Sequence, residues 1–258
     1  MMIVADNLHV VNPRIARALA DFDPGPIQEM VRLCQKAGAQ AIDINSGPLP
    51  KRPQQHFTFL VEAVQAVCDL PLVLDTTNPA AMEAGLQACR NPAIINGYSL
   101  EAFKLETILP LAVAYDADII GYLLGPDSQV PVTAEEMMAM ALEIYDAASA
   151  AGLAVERLIL DPVIVPLSWG NGLVHNQAVL TVVRQLPDLL GVPVRTIAGI
   201  SNLATGPIGA VRKMELETAF VPMLAAAGLH MALLNVFRQT TVQIAKTCNA
   251  LLGQTVFA

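Results

Sequence analysis

Leu72-Val73-Leu74-Asp75-Thr76-Thr77-Asn78 carries three branched apolar residues straight into a carboxylate, and Asn78-Pro79 then signals a helix start. A continuous apolar run is how a parallel strand buried on both faces reads in sequence. An acid at the C-terminal end of such a strand is where a barrel enzyme presents side chains to a ligand. The same layout returns in Ala41-Ile42-Asp43-Ile44-Asn45, Ala93-Ile94-Ile95-Asn96, Leu158-Ile159-Leu160-Asp161 and Ile197-Ala198-Gly199-Ile200-Ser201-Asn202. Such regular repetition predicts a fold built of strand–helix units.

Working outward from this stretch, strands are expected at 2–5, 41–45, 72–75, 93–96, 118–124, 158–160, 194–200 and 231–234. Helices are expected after Asp23-Pro24-Gly25-Pro26 and at 55–68, after Asn78-Pro79, at 99–116, at 177–190, at 211–227 and at 236–252. A further helix opens at the capping box Thr133-Ala134-Glu135-Glu136 and closes at Gly152. Eight strand–helix pairs with no break in composition predict one domain over residues 1–258, an α/β chain closed into a (β/α)8 barrel. A doubly wound open sheet is the competing arrangement, and no G-x-G-x-x-G turn supports it.

The totals narrow the function. Apolar residues make up 54% of the 258 and charged residues 15%, enough apolar material for a large core. A formal charge of −8 disfavours nucleic acid. The apolar tract 219–234 is interrupted by Pro222, Gly228 and His230 and is too short to cross a membrane. The N-terminus lacks a basic segment followed by a signal-like apolar one, so a cytoplasmic protein is expected. Cys34, Cys68, Cys89 and Cys248 form no C-x-x-C pair and are expected as buried free thiols. His9, His56, His175 and His230 lack metal-ligand spacing, so no bound metal is expected.

In a barrel the C-terminal strand ends share one mouth, which would bring Asp43, Asn45, Asp75, Asn96, Asp161 and Asn202 together. Each alone also reads as a turn former or cap, and Asn78 is expected to be a cap and nothing more. Together they make a rim of acids and amides without Lys or Arg. Carboxylates accept from amino and ring N–H groups and amides both donate and accept, which suits a neutral heterocycle. No G-x-S-x-G or Walker-type loop is present, so the rim binds and orients rather than supplying a nucleophile.

Over nearly its whole length the chain resembles the pterin-binding, dihydropteroate synthase-like barrels, and within them the methyltetrahydrofolate–corrinoid protein methyltransferases. The resemblance rests on Ile42-Asp43-Ile44-Asn45, Leu74-Asp75-Thr76-Thr77-Asn78, Ile94-Ile95-Asn96, Leu160-Asp161-Pro162, Gly199-Ile200-Ser201-Asn202 and Leu252-Gly253-Gln254-Thr255-Val256, in that order. It implies that Asp75, Asn96 and Asp161 hold the pterin ring, with Asp43 and Asn45 in the same pocket. It implies that Asn202 reaches N5, the nitrogen that carries the methyl group, with Asp161 or Asp43 polarising the proton path. The substrates it implies are tetrahydrofolate and 5-methyltetrahydrofolate, with cobalamin supplied in trans by a separate corrinoid protein. The chain has no Asp-x-His-x-x-Gly segment to hold a corrinoid itself. Members of the family are commonly homodimers, and the apolar last two helices offer an interface.

The chain departs from the corrinoid/iron–sulfur-protein branch. That branch leaves strand one with a Gly-Glu-Arg-x-Asn-like sequence, whereas this chain has Ala5-Asp6-Asn7-Leu8-His9. The loop after Asn202 is Leu203-Ala204-Thr205-Gly206-Pro207, without the Gln and extra Asn of that branch. These differences point to methylcobalamin-to-tetrahydrofolate transfer in a demethylase system for methoxylated aromatics or methylamines. The alternatives are transfer from methyltetrahydrofolate to a corrinoid/iron–sulfur protein, a non-catalytic folate-binding protein, and dihydropteroate synthase. The last would need a Lys near strand seven and a basic phosphate pocket at strand eight.

Overall fold

A computed structural model describes residues 1–49, 51–207 and 209–253. Gln254, Thr255 and Val256 of the last family-like segment lie outside the described residues. Eight parallel strands close into a barrel in chain order, and β1 (Met2–His9) pairs with both β2 (Ala41–Asn45) and β8 (Met231–Leu234). Between them lie β3 (Leu72–Asp75), β4 (Ala93–Tyr98), β5 (Asp118–Tyr122), β6 (Leu158–Asp161) and β7 (Arg195–Gly199). The fold is a (β/α)8 barrel.

Ten helices surround it among the described residues: α1 (Pro13–Ala20), α2 (Pro24–Ala37), α3 (Pro53–Gln65), α4 (Pro79–Ala88), α5 (Ala102–Thr107), α6 (Leu109–Ala114), α7 (Ala134–Ala150), α8 (Gly172–Leu190), α9 (Ala210–Ala227) and α10 (Gln239–Leu252). Three of them start by one local rule. Asn12, Asp23 and Asn78 each accept a backbone N–H of the first turn, and each is followed by a proline at the first helical position. Asn78 is thus a cap, as expected. The Thr133–Glu136 capping box also forms.

Several expected boundaries are corrected. Sequence reasoning overlooked α1, although Asn12-Pro13 repeats the Asn78-Pro79 signal. β1 extends to His9, because a bulge between Ala5 and Leu8 re-enters register against β2. The helix expected over 99–116 is two, broken at Ile108, since Pro110 has no N–H to donate and its ring crowds the preceding turn. β5 stops at Tyr122 and β7 at Gly199; Ser201 and Asn202 lie in a 3-10 turn over Ile200–Asn202. α8 begins at Gly172, five residues earlier than expected, and α10 begins at Gln239. All four cysteines are free, with Cys34 and Cys68 buried.

The barrel interior is filled by one residue from each strand: Val4, Ala41, Val73, Ile94, Ile120, Ile159, Ile197 and Met231. Burying each larger member contributes about 1.5–3 kcal/mol. Neighbours on a strand point to opposite faces, so this plug fixes which residues face inward. At the N-terminal end, Arg157 and Arg195 both bind Asp118 (3.2 and 2.8 Å), tying β5, β6 and β7 together. Arg195 therefore serves the face opposite the mouth.

Candidate active site

Two residues beyond each plug residue the chain points inward again, now at the C-terminal mouth. That parity selects Asp43 and then Asn45 after Ala41, Asp75 after Val73, Asn96 after Ile94, Tyr122 after Ile120 and Asp161 after Ile159. Strand register aligns Asn45 with Asp75 and Asp75 with Asn96, and pairs Tyr122 with Asp161. Asn45 Nδ2 donates to Asp75 Oδ2, while Asn45 Oδ1 accepts the Gly47 N–H at 2.9 Å. Asn96 Nδ2 donates to Asp43 Oδ1 at 3.3 Å, and Asn96 Oδ1 accepts from the Tyr122 hydroxyl. Both amides are therefore engaged at both ends within the protein. Sequence reasoning did not single out Tyr122, although its spacing from Ile120 obeys the same rule.

Electrostatics follows from crowding acids into a pocket with little water. Burial is the main cause that raises Asp43 well above the carboxylate range, reinforced by Asp75 and Asp6. Burial lifts Asp75 to about 6, against the opposing Asn45 hydrogen bond. Burial lifts Asp161 to about 7, opposed by a backbone hydrogen bond from Val163. Tyr122 is pushed far upward by burial and then by Asp75, Asp161 and Asp43, so its hydroxyl stays a donor.

Asp161 is aimed by its own loop. The Val163 N–H donates to Asp161 Oδ1 at 2.7 Å, and Val163 holds φ +59°, a left-handed conformation strained for a β-branched residue. Two buried residues of α8 hold that loop. His175 places its ring nitrogens 2.6 Å from the carbonyl oxygens of Val163 and Pro131. Asn176 exchanges hydrogen bonds with Val165, accepting at 3.3 Å and donating at 2.8 Å. Neither residue stood out in sequence, because a supporting role in a helix has no local signature.

The remaining mouth is built from β7, β8 and β1. Asn202 is exposed, and its side-chain amide has no protein partner among the described residues. Its Nδ2 lies 3.1 Å from where a Cβ on residue 199 would stand, so glycine there leaves room for the amide. Asp6, in the β1 bulge, accepts from Ser201 Oγ at 2.6 Å, and burial raises its carboxyl despite that bond. The rim is not free of cations, contrary to expectation. Lys104 Nζ sits 5.9 Å from the Tyr122 ring centroid and 3.3 Å from Glu101. Arg238, after β8, is paired with Glu217, which is 2% exposed. The structure thus joins Asp43, Asn45, Asp75, Asn96 and Tyr122 by register and hydrogen bonds, sets Asp161 beside Tyr122, and leaves Asn202 unbonded one strand further on.

The sequence profile described as pterin binding enzyme matches residues 16–235 of this chain. The chain belongs to that family. As a pterin-binding enzyme it is 25% identical over 211 residues to the methylcorrinoid:tetrahydrofolate methyltransferase of Eubacterium limosum, covering 80% of this chain and 75% of the relative. Solved structures with the same fold include the Yersinia pestis DHPS with a pterin-sulfa conjugate (TM-score 0.69, 18% identity, 98% of this chain and 94% of that one). A dihydropteroate synthetase with its product matches similarly (TM-score 0.71, 19% identity, 98% and 94%). At these identities the structures speak for the fold alone. Among the described residues of this pterin-binding enzyme, no group of three His, Cys, Asp or Glu is placed to hold a metal ion. None of its described helices is long and apolar enough to cross a membrane.

Proposed function

We propose that this enzyme transfers a methyl group between N5 of tetrahydrofolate and the cobalt of a corrinoid carried by a separate protein, running from methylcorrinoid to tetrahydrofolate in a demethylating system. One observation carries the pterin half. Asn45 and Asn96 each commit one N–H and the carbonyl oxygen inside the protein, while Asp75 and Asp161 each keep an oxygen free of protein hydrogen bonds. A pocket offering mainly acceptors asks for a ligand rich in N–H donors, and the amino-pyrimidine edge and N8–H of a reduced pterin are that. The transfer half rests on the Eubacterium limosum relative.

The corrinoid, when delivered, supplies a methyl group bound to cobalt. The chain's own residues do the rest. Asp75 and Asp161 orient the ring through its N–H groups, and Asn96, locked between Asp43 and Tyr122, fixes the depth of the pocket. The free amide of Asn202 is assigned to N5, where its hydrogen bond strengthens as charge develops. Methylation leaves N5 with a proton to lose, and Asp161, raised to about 7, matches a base working near neutral pH. Trp169, Leu173 and Val174, between 54% and 62% exposed at and after the β6 loop, form the proposed docking face for the corrinoid protein. A homodimer through α9 and α10 and a cytoplasmic location belong to the same proposal.

A dihydropteroate synthase would want free cations at the exits of β7 and β8. Here Asn202 stands after β7, and Arg238 is tied to Glu217. The deciding experiment is anaerobic. The protein is mixed with methylcobalamin and tetrahydrofolate, then with cob(I)alamin and methyltetrahydrofolate, and the cobalt spectrum is followed. Catalysed spectral change in either direction supports transfer; none in both leaves only a folate binder.

A further inference from the structure

A cavity of about 320 Å³ opens between α1 and the loop after β2. It shares a wall with the site: Ser46 lines it, follows Asn45 directly, and has its Oγ 3.5 Å from the Asp75 carbonyl oxygen. Val10, Leu19 and Leu49 make apolar walls, and Lys51 and His56 stand at its edge. The His56 ring is held in place, with Nδ1 2.8 Å from the Lys51 carbonyl oxygen and its face stacked on Phe22 at 4.8 Å. Lys51 is exposed and has no carboxylate partner among the described residues.

We propose that this cavity takes the arm of the folate, with the aminobenzoyl ring against Val10, Leu19 and Leu49 and the glutamate carboxylates at Lys51, so that polyglutamylated folate is the preferred substrate. The proposal rests on the pterin reading given above. Free cations decide the route. The mouth is lined by Asp6, Asp43, Asp75 and Asp161, and the cations at its rim, Lys104 and Arg238, are paired with Glu101 and Glu217, so among the described residues named at the mouth a carboxylate tail finds no uncommitted cation. A second cavity of about 210 Å³ between the loops after β5 and β6 is walled by Val130, Pro131 and Trp169. Its one basic lining residue, His175, already faces a carbonyl oxygen with each ring nitrogen. Of these two cavities, the first alone pairs apolar walls with a cation that has no carboxylate partner among the described residues.

The test compares dissociation constants of 6-methyltetrahydropterin, tetrahydrofolate monoglutamate and tetrahydrofolate triglutamate. The proteins are the wild type, Lys51→Glu, and Ala16→Phe, which fills the cavity from a partly exposed helix face. Wild type is expected to favour triglutamate over monoglutamate by roughly two- to fivefold, the strength of an exposed ion pair. That preference should shrink with added salt. Lys51→Glu should abolish it, and Ala16→Phe should reduce the advantage of monoglutamate over the armless pterin. A tail preference unchanged in both variants, or removed by Trp169→Ala instead, overturns the proposal. Failure of wild type to bind even 6-methyltetrahydropterin overturns the pterin reading and this proposal with it.

Discussion

The Tyr122 hydroxyl donates to Asn96 Oδ1, which obliges the other end of that amide, Nδ2, to face Asp43 at 3.3 Å. One phenol thereby sets the orientation of an amide on the neighbouring strand and, through it, the solvation of a buried acid. Tyr122→Phe removes the donor and leaves a buried carbonyl oxygen short of a partner, at about 1–3 kcal/mol. Thermal melts should show lower stability, and titration should show folate affinity down by roughly tenfold. Wild-type values in both would remove Tyr122 from the site.

Asp75→Ala and Asp161→Ala should each weaken tetrahydrofolate binding by about 1–3 kcal/mol, because each strips a pterin N–H of its acceptor. Equilibrium titration of the purified variants measures this. Unchanged affinity in both would be incompatible with a pterin ring lying against these strands.

Asn202→Ala should separate rate from binding. Its amide is unbonded in the protein and acts at N5, so the turnover rate should fall by roughly a hundredfold while the folate dissociation constant moves little. Parallel losses in rate and affinity would reduce Asn202 to a binding contact.

Asp75, raised to about 6, and Asp161, raised to about 7, hold a proton over part of the range below neutrality when no ligand is bound. Pterin N–H donors favour the ionised carboxylates, so binding in that range expels protons. Affinity should therefore rise as pH is raised through about 6 to about 7 and level off above. Calorimetry in buffers of different ionisation enthalpy should register net proton release, and Asp161→Asn should reduce it. Proton uptake on binding would contradict the assignment.

His175→Ala removes a ring whose nitrogens lie against the Pro131 and Val163 carbonyl oxygens, takes a donor from one of them, and loosens the strained turn that points Asp161. Stability should drop by about 1–3 kcal/mol in denaturant unfolding. His175→Gln, which keeps a donor, should recover part of the lost stability. A variant as stable and active as wild type would mean that the loop holds itself.

The architecture was legible because the core obeys simple periodicities. Apolar runs of strand length are local signals, five of them ending in Asp or Asn, and eight strand–helix pairs in series close a barrel. Parity then sends Asp43, Asn45, Asp75, Asn96 and Asp161 to one mouth, since each lies an even number of residues beyond a plug residue. α1 was overlooked although its Asn12-Pro13 signal was present, and Pro110 divided a helix whose apolar pattern runs through the break.

What the sequence by itself determined, then, is the barrel and the set of acids and amides at its mouth, because burial and strand alternation act along the chain. Only the tertiary structure decided which of those groups bond to each other. Asn45 meets Asp75 as its register partner, and Asn96, in register with Ile120, meets Tyr122 two residues further along β5, a relation between segments that no single segment encodes. It likewise brought Lys104 to the rim, His175 beneath the Asp161 loop, and a cavity beside Ser46, by packing elements distant in the chain. The run Leu72 to Asp75 states that an acid stands at the mouth. Asn45, one strand away, leaves that acid a free oxygen for a ligand.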